Sequence, residues 1–462
     1  MCGMKTILIK FDNSFFVRNF LRTDIVAILS SAPDVRMVCI APEKKLEYYR
    51  KEFSDARIVF DICPETRFFL SERIFRFVET ASIHSHTVTL LHKTDFVRAK
   101  GQKALITRIG IYATRRLLWQ LGRFQWWRGI IRFAYRSLPS NTFSAALAKW
   151  KPDVVYCSSM VYTDFRLLKE AKKSGFKTLG MILSWDNLHS KTLLRVFPDH
   201  LIVHTDDTMK QVMRYTNYPK ERMRVSGIPQ YDRYFRRTGV VSRDEFIRSI
   251  GGDPSKKLIV YAVSGKAGLH IDLGIVKMLR DAIKNREIAR DAEILFRAYP
   301  RYDFSQEKVA HITRELGCLV RPVMTHVGEG RDNWEFDEDA ISFLANTLAH
   351  ADAVVALYTT FFIEAAIFDK PLIAVGFDER TVSYWDSAKR FFEWDHLRAL
   401  YALGGIKRVE SRKELIEVLN ASFENPSALH EGRMRMIARQ SQFTDGKSGE
   451  RVARIILNLL SS

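Results

Sequence analysis

Short apolar runs alternate with helical patterns along most of the chain, and this alternation constrains the fold more than any other feature. A first set of runs lies at residues 7–9, 38–41, 58–60, 154–158, 178–183 and 201–203, and a second at 258–263, 293–297, 319–321, 353–356 and 372–375. Many runs are continuous and β-branched, which is typical of parallel strands buried on both faces. Strands alternating with helices predict βαβ units, so we expect an α/β fold with doubly wound parallel sheets.

The two sets of strands predict two domains, joined near residues 235–255 where glycine and proline punctuate the chain. We expect an N-terminal Rossmann-like domain at 1–240 that contains a basic aromatic insert at 96–152. A C-terminal Rossmann-like domain is expected at 241–440, followed by a closing segment at 441–462. Apolar residues at helical spacing in that segment, such as Val452 and Ile456, predict an amphipathic helix.

The formal net charge is +19, from 72 basic and 53 acidic residues. This excess indicates a polyanionic partner: nucleic acid, an anionic membrane surface or phosphate-bearing ligands. A generally basic proteome is the alternative explanation. No run of about 18 uncharged apolar residues occurs, so we expect no transmembrane helix. Histidines and cysteines lack metal-ligand spacing, so we expect no metal site.

Loops that follow the second set of strands are the expected donor site, because open parallel sheets bind ligands outside the carboxyl ends of their strands. Tyr358, Thr359 and Thr360 follow one of these strands and lead into a helix. Hydroxyls and backbone amides at the threonines suit a diphosphate, and Glu364 lies one turn further, within reach of ribose hydroxyls. A capping box formed by threonine and glutamate explains the same residues without a ligand.

Two further strand ends belong to the same expected donor site. Ser264, Gly265 and Lys266 follow the first strand of the second half, in a small loop that lets backbone amides approach phosphate. Arg297 closes the next strand and offers a bidentate guanidinium to a donor phosphate. An ordinary βα turn and a surface salt bridge are the alternatives at these two places.

The acceptor side is expected at strand ends of the first half, where polar residues cluster. The acceptor-positioning candidates are Asn13, Arg18, Trp185, Asn187 and Lys191. Asp186 and Asp12 are the candidate general bases, since each follows a buried strand and could take a proton from an acceptor hydroxyl. An Asx-type turn at Asp186 and a helix N-cap at Asp12 are the alternatives.

Residues 96–152 contain twelve Lys or Arg, no Asp or Glu, and several large aromatic side chains. Arg128, Arg132 and Arg136 recur every four residues on one face of a predicted helix that also carries Trp126 and Trp127. Arginines on lipid phosphates and aromatics at headgroup level predict contact with an anionic membrane. The alternatives are stacking on single-stranded nucleic acid, which no RNA-binding motif accompanies, and a core helix pair whose arginines snorkel to water.

Several motifs resemble bacterial glycosyltransferase-like proteins of the GT-B type, related to CDP-glycerol glycerophosphotransferases and to the non-hydrolysing UDP-GlcNAc 2-epimerase. They lie at residues 184–191, 199–203, 225–232, 352–366, 370–371 and 444–451. The resemblance implies two facing Rossmann-like domains, a nucleotide-linked donor on the C-terminal domain, and a last helix that returns to the N-terminal domain. Tyr299 stands where relatives often carry His, and His189 where a small hydroxyl residue is common.

From these features we expect a glycosyltransferase that moves a sugar from a nucleotide-sugar donor to a glycan or lipid-linked acceptor in bacterial surface polysaccharide synthesis. No cofactor or metal is expected to be obligatory, because helix N-termini and basic side chains can neutralise the leaving diphosphate. The expected location is cytoplasmic and peripheral, at the inner face of the cytoplasmic membrane, without a nucleic-acid partner. The alternatives are a CDP-glycerol-type glycerophosphotransferase and a non-catalytic membrane- or nucleic-acid-binding protein on a degenerate GT-B scaffold.

Overall fold

The chain forms two compact units, one made of Met1–Asp232 with Lys447–Ser462 and the other of Arg233–Gly446. The computed structural model describes residues 3–11, 14–64, 69–101, 104–161, 163–264, 269–297, 314–321, 325–327 and 334–461. The sequence boundaries were expected at 240/241 and 440/441, close to these divisions. Within the described ranges, no helix combines the length and the apolar character needed to cross a membrane.

Strands and helices alternate through both units. The strands are β1 (Lys5–Lys10), β2 (Val35–Ala41), β3 (Ile58–Ile62), β4 (Val154–Cys157), β5 (Lys177–Met181), β6 (His200–Val203), β7 (Met223–Val225), β8 (Lys257–Ala262), β9 (Ala292–Arg297), β10 (Thr325–His326), β11 (Trp334–Glu335), β12 (Ala353–Ala356), β13 (Leu372–Val375) and β14 (Lys407–Val409).

The helices of the first unit begin with α1 directly after the first strand. They are α1 (Ser14–Phe20), α2 (Asp24–Ser31), α3 (Leu46–Glu52), α4 (Leu70–Ala81), α5 (His86–Arg98), α6 (Leu105–Leu121), α7 (Gln125–Ser137), α8 (Ser144–Trp150), α9 (Asp164–Lys173), α10 (Asn187–Ser190) and α11 (Asp206–Thr216). The remaining helices are α12 (Asp232–Phe235), α13 (Arg243–Ser249), α14 (Leu269–Lys284), α15 (Glu338–His350), α16 (Phe361–Ile367), α17 (Asp395–Tyr401), α18 (Arg412–Glu424), α19 (His430–Gln440) and α20 (Ser448–Ser461).

The first unit is built on a parallel sheet of order β3-β2-β1-β4-β5-β6-β7. Its strands are apolar on both faces because helices cover both sides. In β1, for example, Leu8 packs into one core while Ile7 and Ile9 pack into the core on the opposite face. The continuous apolar runs of the sequence therefore mark doubly covered strands, as expected, and the α/β class is confirmed.

A helical layer, α4 to α8, separates β3 from β4, so the inserted segment begins at Leu70 rather than at residue 96. Buried ion pairs anchor this layer to α9 and to the loop after α10. Glu72 on α4 accepts hydrogen bonds from Arg166 Nε at 3.0 Å and from Tyr135 Oη at 2.8 Å. Arg195 bridges both carboxylates of α4, with 3.0 Å to Glu72 and 2.9 Å to Glu79. Such pairs keep buried charges satisfied and fix how the layer docks.

The second unit has a parallel sheet of order β14-β13-β12-β8-β9. The prediction of a strand at 319–321 is wrong, because Leu319 makes only a single β-bridge, to Leu295 at the outer edge of β9. The edge strands β7 and β14 were not expected. Both are three residues long and carry exposed basic side chains, so they lack a buried apolar pattern.

The closing helix α20 packs against α2 in the first unit, which confirms the expected amphipathic helix and its return to the N-terminal unit. Val452 and Ile456 are fully buried there. The carboxylate of Asp232 accepts hydrogen bonds from the backbone N–H groups of Ser448 at 2.9 Å and Gly449 at 2.7 Å. These bonds satisfy two of the unpaired N–H groups with which every helix begins.

Candidate functional site

The strand order of the second unit creates a point where the chain changes direction. From β8 the chain moves to β9 on one side, and it later returns to β12 on the other side of β8. Loops that leave two neighbouring strands in opposite directions open a crevice at the carboxyl edge of the sheet, where α/β proteins bind ligands. Ser264 follows β8 and Tyr358 follows β12, so two of the expected donor loops flank this crevice. Gly265 and Lys266 lie outside the described residues.

Arg297, the last residue of β9, reaches the same edge. It is paired in register with Ala262 of β8, and its guanidinium lies over the ring of Phe361 with 4.3 Å to the ring centroid. Phe361 is the first residue of α16 and directly follows Thr360. The cation–π contact therefore brings Arg297 to the turn between β12 and α16, together with the two threonines.

Hydrogen bonds at the start of α16 differ from a capping box. Thr359 Oγ1 accepts from the backbone N–H of Phe361 at 3.1 Å, whereas Thr360 is exposed and makes no side-chain capping bond. Glu364 is buried, and its Oε2 accepts from Tyr234 Oη at 2.8 Å. Glu364 is thus held by a tyrosine of its own unit, one turn along the helix from the threonines.

The loop after β8 is held by Asp272 of α14, a residue that the sequence analysis missed. One carboxylate oxygen of Asp272 accepts from both the N–H of Ser264 at 3.1 Å and its hydroxyl at 2.9 Å. The other accepts from Tyr261 Oη at 2.9 Å. Burial raises the pKa of Asp272 to about 6. Both polar groups of Ser264 therefore point at Asp272, so Ser264 shapes the loop; an acidic residue in the first turn of the next helix was the available signal.

The first unit has its own direction change between β1 and β4. Lys10, at the end of β1, is fully buried and donates to Asp164 at 3.1 Å and to Thr163 Oγ1 at 2.8 Å. Asp164 also accepts from the N–H and hydroxyl of Ser159 and from the N–H of Met160. This buried pair ties the end of β1 to the loop after β4, and a lysine that ends an otherwise apolar strand was its only trace in the sequence.

The acceptor-side candidates divide into two groups. After β5, Asp186 forms an ion pair with Lys191 at 2.7 Å, and Trp185 beside it is half-buried. Asn187 is buried, and its Nδ2 donates to the backbone carbonyl of Ser159 at 3.3 Å, so it joins the loops after β4 and β5.

Arg18, on α1, belongs to the second group and contacts different residues. Its guanidinium donates to the side chain of Gln230, in the short helix Pro229–Tyr231, and its Cζ lies 5.8 Å from the ring centroid of Phe15. Asp12 and Asn13 lie outside the described residues.

Two arginines expected at a membrane are instead used inside the protein. Arg128 is buried and donates to the backbone carbonyls of Tyr215 at 2.7 Å and Arg214 at 3.0 Å. Arg132 donates to the carbonyls of Leu193, Leu194 and Thr216, and burial lowers its pKa to about 10. Both therefore neutralise the carbonyls that end α11, where a helix carries partial negative charge. The expectation of lipid contact is wrong for this pair.

The other three residues that were expected to contact the membrane differ from one another in exposure. Arg136 and Trp126 are exposed. Trp127 is half-buried, and its indole N–H donates to Ser82 Oγ at 3.0 Å. Trp127 therefore joins α7 to the end of α4 within the helical layer, whereas Arg136 and Trp126 face outward.

A cleft of about 780 Å³ lies elsewhere in the second unit, along α17 and β14. Its lining includes Phe392, Arg398, Tyr401 and Arg408, and none of the donor candidates. In the part of the chain that the structure describes, no three His, Cys, Asp or Glu side chains are grouped as metal ligands.

Comparisons with known proteins agree with this architecture. The model of a family described as CDP-Glycerol:Poly(glycerophosphate) glycerophosphotransferase matches residues 176–458, from β5 into α20. No curated protein matches the chain.

Solved structures share the fold at low identity. The S. aureus MnaA–UDP structure is 14% identical, with 99% of this chain and 98% of that one covered at a TM-score of 0.54. The UDP-GlcNAc 2-epimerase of Neisseria meningitidis bound to UDP-GlcNAc is 10% identical (98% and 100% covered, TM-score 0.53). That of Methanocaldococcus jannaschii is 13% identical (98% and 100%, TM-score 0.53). These similarities support the GT-B arrangement of two Rossmann-like domains.

Proposed function

The chain belongs to the CDP-glycerol:poly(glycerophosphate) glycerophosphotransferase family, and from this premise we propose that it transfers a polyol phosphate from a CDP-linked donor to an acceptor hydroxyl. The family and the fold make it a transferase. The family match includes the whole second unit, which contains the expected donor site. The acceptor in this proposal is a glycan or a lipid-linked polymer at the inner face of the cytoplasmic membrane, as in bacterial surface polysaccharide synthesis.

One observation supports the donor site above all: Arg297 lies over Phe361 at the turn that carries Thr359 and Thr360. The β8–β12 crevice opens at this turn. A guanidinium and hydroxyls at the crevice suit a diphosphate, which needs fixed donors and positive charge. Glu364, held by Tyr234, is the proposed partner of the ribose hydroxyls.

In the proposed reaction an acceptor oxygen attacks the phosphorus of the polyol phosphate. A new P–O bond forms, the bond from that phosphorus to the bridging oxygen breaks, and CMP leaves with the electron pair. The acceptor proton passes to a general base, for which Asp186 and Asp12 are the candidates. Arg297 offsets the charge that develops on the leaving phosphate, so the protein's contribution is positioning and electrostatic stabilisation.

Glycosyl transfer from a nucleotide sugar, the reaction expected from the sequence, is the second candidate. It is favoured by the shared fold, which holds UDP-GlcNAc in the Neisseria meningitidis protein. The two reactions release different nucleotides: phosphotransfer from CDP-glycerol releases CMP, whereas glycosyl transfer from a nucleoside-diphosphate sugar such as UDP-GlcNAc releases the nucleoside diphosphate. Identifying the released nucleotide by chromatography therefore separates them.

The donor site is tested by measuring binding of CDP-glycerol calorimetrically to the wild type and to Arg297→Ala. A hydrogen-bonded contact to a charged group contributes about 1.5–3 kcal/mol, so the Kd should rise about 10- to 150-fold. Arg248→Ala is the matched control, since Arg248 lies in the same unit on α13 with an exposed side chain. Equal Kd values for both variants would refute the assigned site. No binding of CDP-glycerol or of nucleotide sugars by the wild type would refute both candidate reactions.

The base is tested by replacing Asp186 and Asp12 separately with asparagine. The true base should lose at least about 100-fold in kcat while the donor Kd stays unchanged. The other variant should keep its turnover. Retention of full turnover by both variants would remove both candidates.

A further inference from the structure

Helix α6 has its polarity reversed relative to an ordinary surface helix. Ile106, Ile109 and Leu117 lie on its outer side, with relative exposures of 85%, 51% and 60%. Arg108 and Arg115 lie on the opposite side, where α6 packs against α5. There Arg108 donates to the carbonyl of Phe96, and Arg115 pairs with Asp95 at 2.8 Å. A water-facing helix shows the opposite arrangement.

Helix α7 repeats this reversal. Trp126, Ile130 and Phe133 recur at positions i, i+4 and i+7 on one side, and all three are exposed. The opposite side carries Arg128 and Arg132, which bind the carbonyls at the end of α11. Two neighbouring segments thus direct their arginines inward and their large apolar side chains outward.

The exposed apolar side chains are concentrated in one part of the described chain. Eleven of its seventeen exposed large apolar side chains lie within residues 69–133. They form what we call the outer apolar face: Phe69, Leu70, Ile74, Leu105, Ile106, Ile109, Leu117, Phe124, Trp126, Ile130 and Phe133. Leu70 and Ile74 lie on α4 and Phe69 directly precedes it; α4 packs against both α6 and α7. Monomeric soluble proteins seldom leave so much apolar surface in water, and such concentrations mark interaction sites.

Charge identifies the partner that fits this face. Exposed arginines accompany the apolar residues: Arg73 and Arg76 lie on α4, Arg136 lies on α7, and Arg123 lies in the turn between α6 and α7. Residues 96–152 contain no acidic side chain. Isoleucine, tryptophan and phenylalanine enter the boundary between headgroups and acyl chains, while arginines bind lipid phosphates. We infer that the outer apolar face docks onto an anionic lipid bilayer.

This inference deepens the membrane placement within the proposed function, but its test uses neither donor nor acceptor, so either proposal can fail without the other. Co-sedimentation is measured with vesicles of equal phosphatidylglycerol and phosphatidylcholine, and with phosphatidylcholine alone. The wild type should bind the anionic vesicles. The triple variant Ile106→Ser, Trp126→Ser, Phe133→Ser should partition on the order of 100-fold less, because three inserting side chains are lost. Arg123→Gln with Arg136→Gln should reduce binding roughly 25-fold, about fivefold per arginine.

The control is a triple serine variant at exposed apolar positions of the second unit: Val241, Val382 and Leu429. It should bind vesicles within twofold of the wild type. If the first triple variant fails to fold, lipids brominated on the acyl chains provide a second measurement. They should quench wild-type tryptophan emission, and more of it than in Trp126→Phe. Three results would overturn the inference. They are a wild type that does not bind the vesicles, a folded variant Ile106→Ser, Trp126→Ser, Phe133→Ser that binds them as strongly as the wild type does, and quenching that is equal in the wild type and in Trp126→Phe. Binding of single-stranded RNA in place of vesicles would also overturn it.

Discussion

Replacing Arg128 or Arg136 with methionine separates two roles that arginines play on the same helix. Arg128 is buried and donates to the carbonyls of Tyr215 at 2.7 Å, Arg214 at 3.0 Å and Arg123 at 3.0 Å. Arg136 is exposed. Methionine keeps much of the apolar stem and removes the charge, so the difference between the two variants reports the internal hydrogen bonds.

The magnitude follows from those three bonds. Each hydrogen bond from a charged group contributes about 1.5–3 kcal/mol, and its loss leaves a buried carbonyl without a donor. Part of this loss is offset because methionine is not penalised for leaving water, as the guanidinium is. We expect Arg128→Met to lower the free energy of unfolding by about 3–5 kcal/mol, and Arg136→Met to change it by less than about 0.5 kcal/mol.

Urea denaturation followed by far-UV circular dichroism measures this difference in the free energy of unfolding. Arg128→Lys should fall between the two methionine variants, because lysine keeps the positive charge but lacks the planar guanidinium. The vesicle assay should give the reverse order, with Arg136→Met weakening binding and Arg128→Met leaving it close to the wild type. Equal stability of the two methionine variants would refute the internal role of Arg128.

Three further predictions concern buried carboxylates. Burial raises the pKa of Asp272 to about 6, so the folded state keeps a proton that the unfolded state has released. Stability should therefore fall as pH rises from about 4 to 6, by up to roughly 3 kcal/mol, and urea titrations of Asp272→Asn across this range should show a smaller fall. Lys10→Met leaves the Asp164 carboxylate buried without its cation and should cost about 3–5 kcal/mol in the same denaturation assay, and Asp164→Asn in that background should recover part of the loss. Asp232→Ala removes the acceptor for the first N–H groups of α20, so it should cost about 1–2 kcal/mol and speed hydrogen exchange in that helix.

The sheets could be predicted from the sequence because doubly covered strands leave a local signature. In β1 the run from Ile7 to Ile9 is apolar on both faces, since helices pack on each side. Edge strands leave no such signature: β14 has the sequence Lys-Arg-Val, and only Val409 is buried. The strand predicted at 319–321 was wrong for the opposite reason. The run is apolar, but apolar character alone does not provide a neighbouring strand that pairs with it along its whole length.

The candidate site was predictable only where a residue lies on a strand end or in the turn after it. Arg297 and Thr359 were predicted this way, because carboxyl ends of parallel strands lie at one edge. Both lie at that edge of the second sheet, and their binding of the donor stays a prediction. The Lys10–Asp164 pair was missed because packing brings together two residues that are 154 positions apart. Asp272 was missed because the sequence does not show that its side chain turns back to Tyr261 and Ser264, 11 and 8 positions earlier. The direction of α7 was missed for a related reason: periodicity shows which residues share a face, but not whether that face turns toward α11 or toward the surroundings.

The first unit is discontinuous, since Val452 and Ile456 of α20 complete a core otherwise formed by residues before 232. During synthesis on the ribosome, that core therefore stays open until residues beyond 447 have emerged. The second unit is a single uninterrupted stretch and can acquire its structure earlier. The apolar surface of α2, which α20 covers, is exposed throughout this interval. A nascent chain of this protein consequently presents a hydrophobic surface to chaperones until α20 has been made.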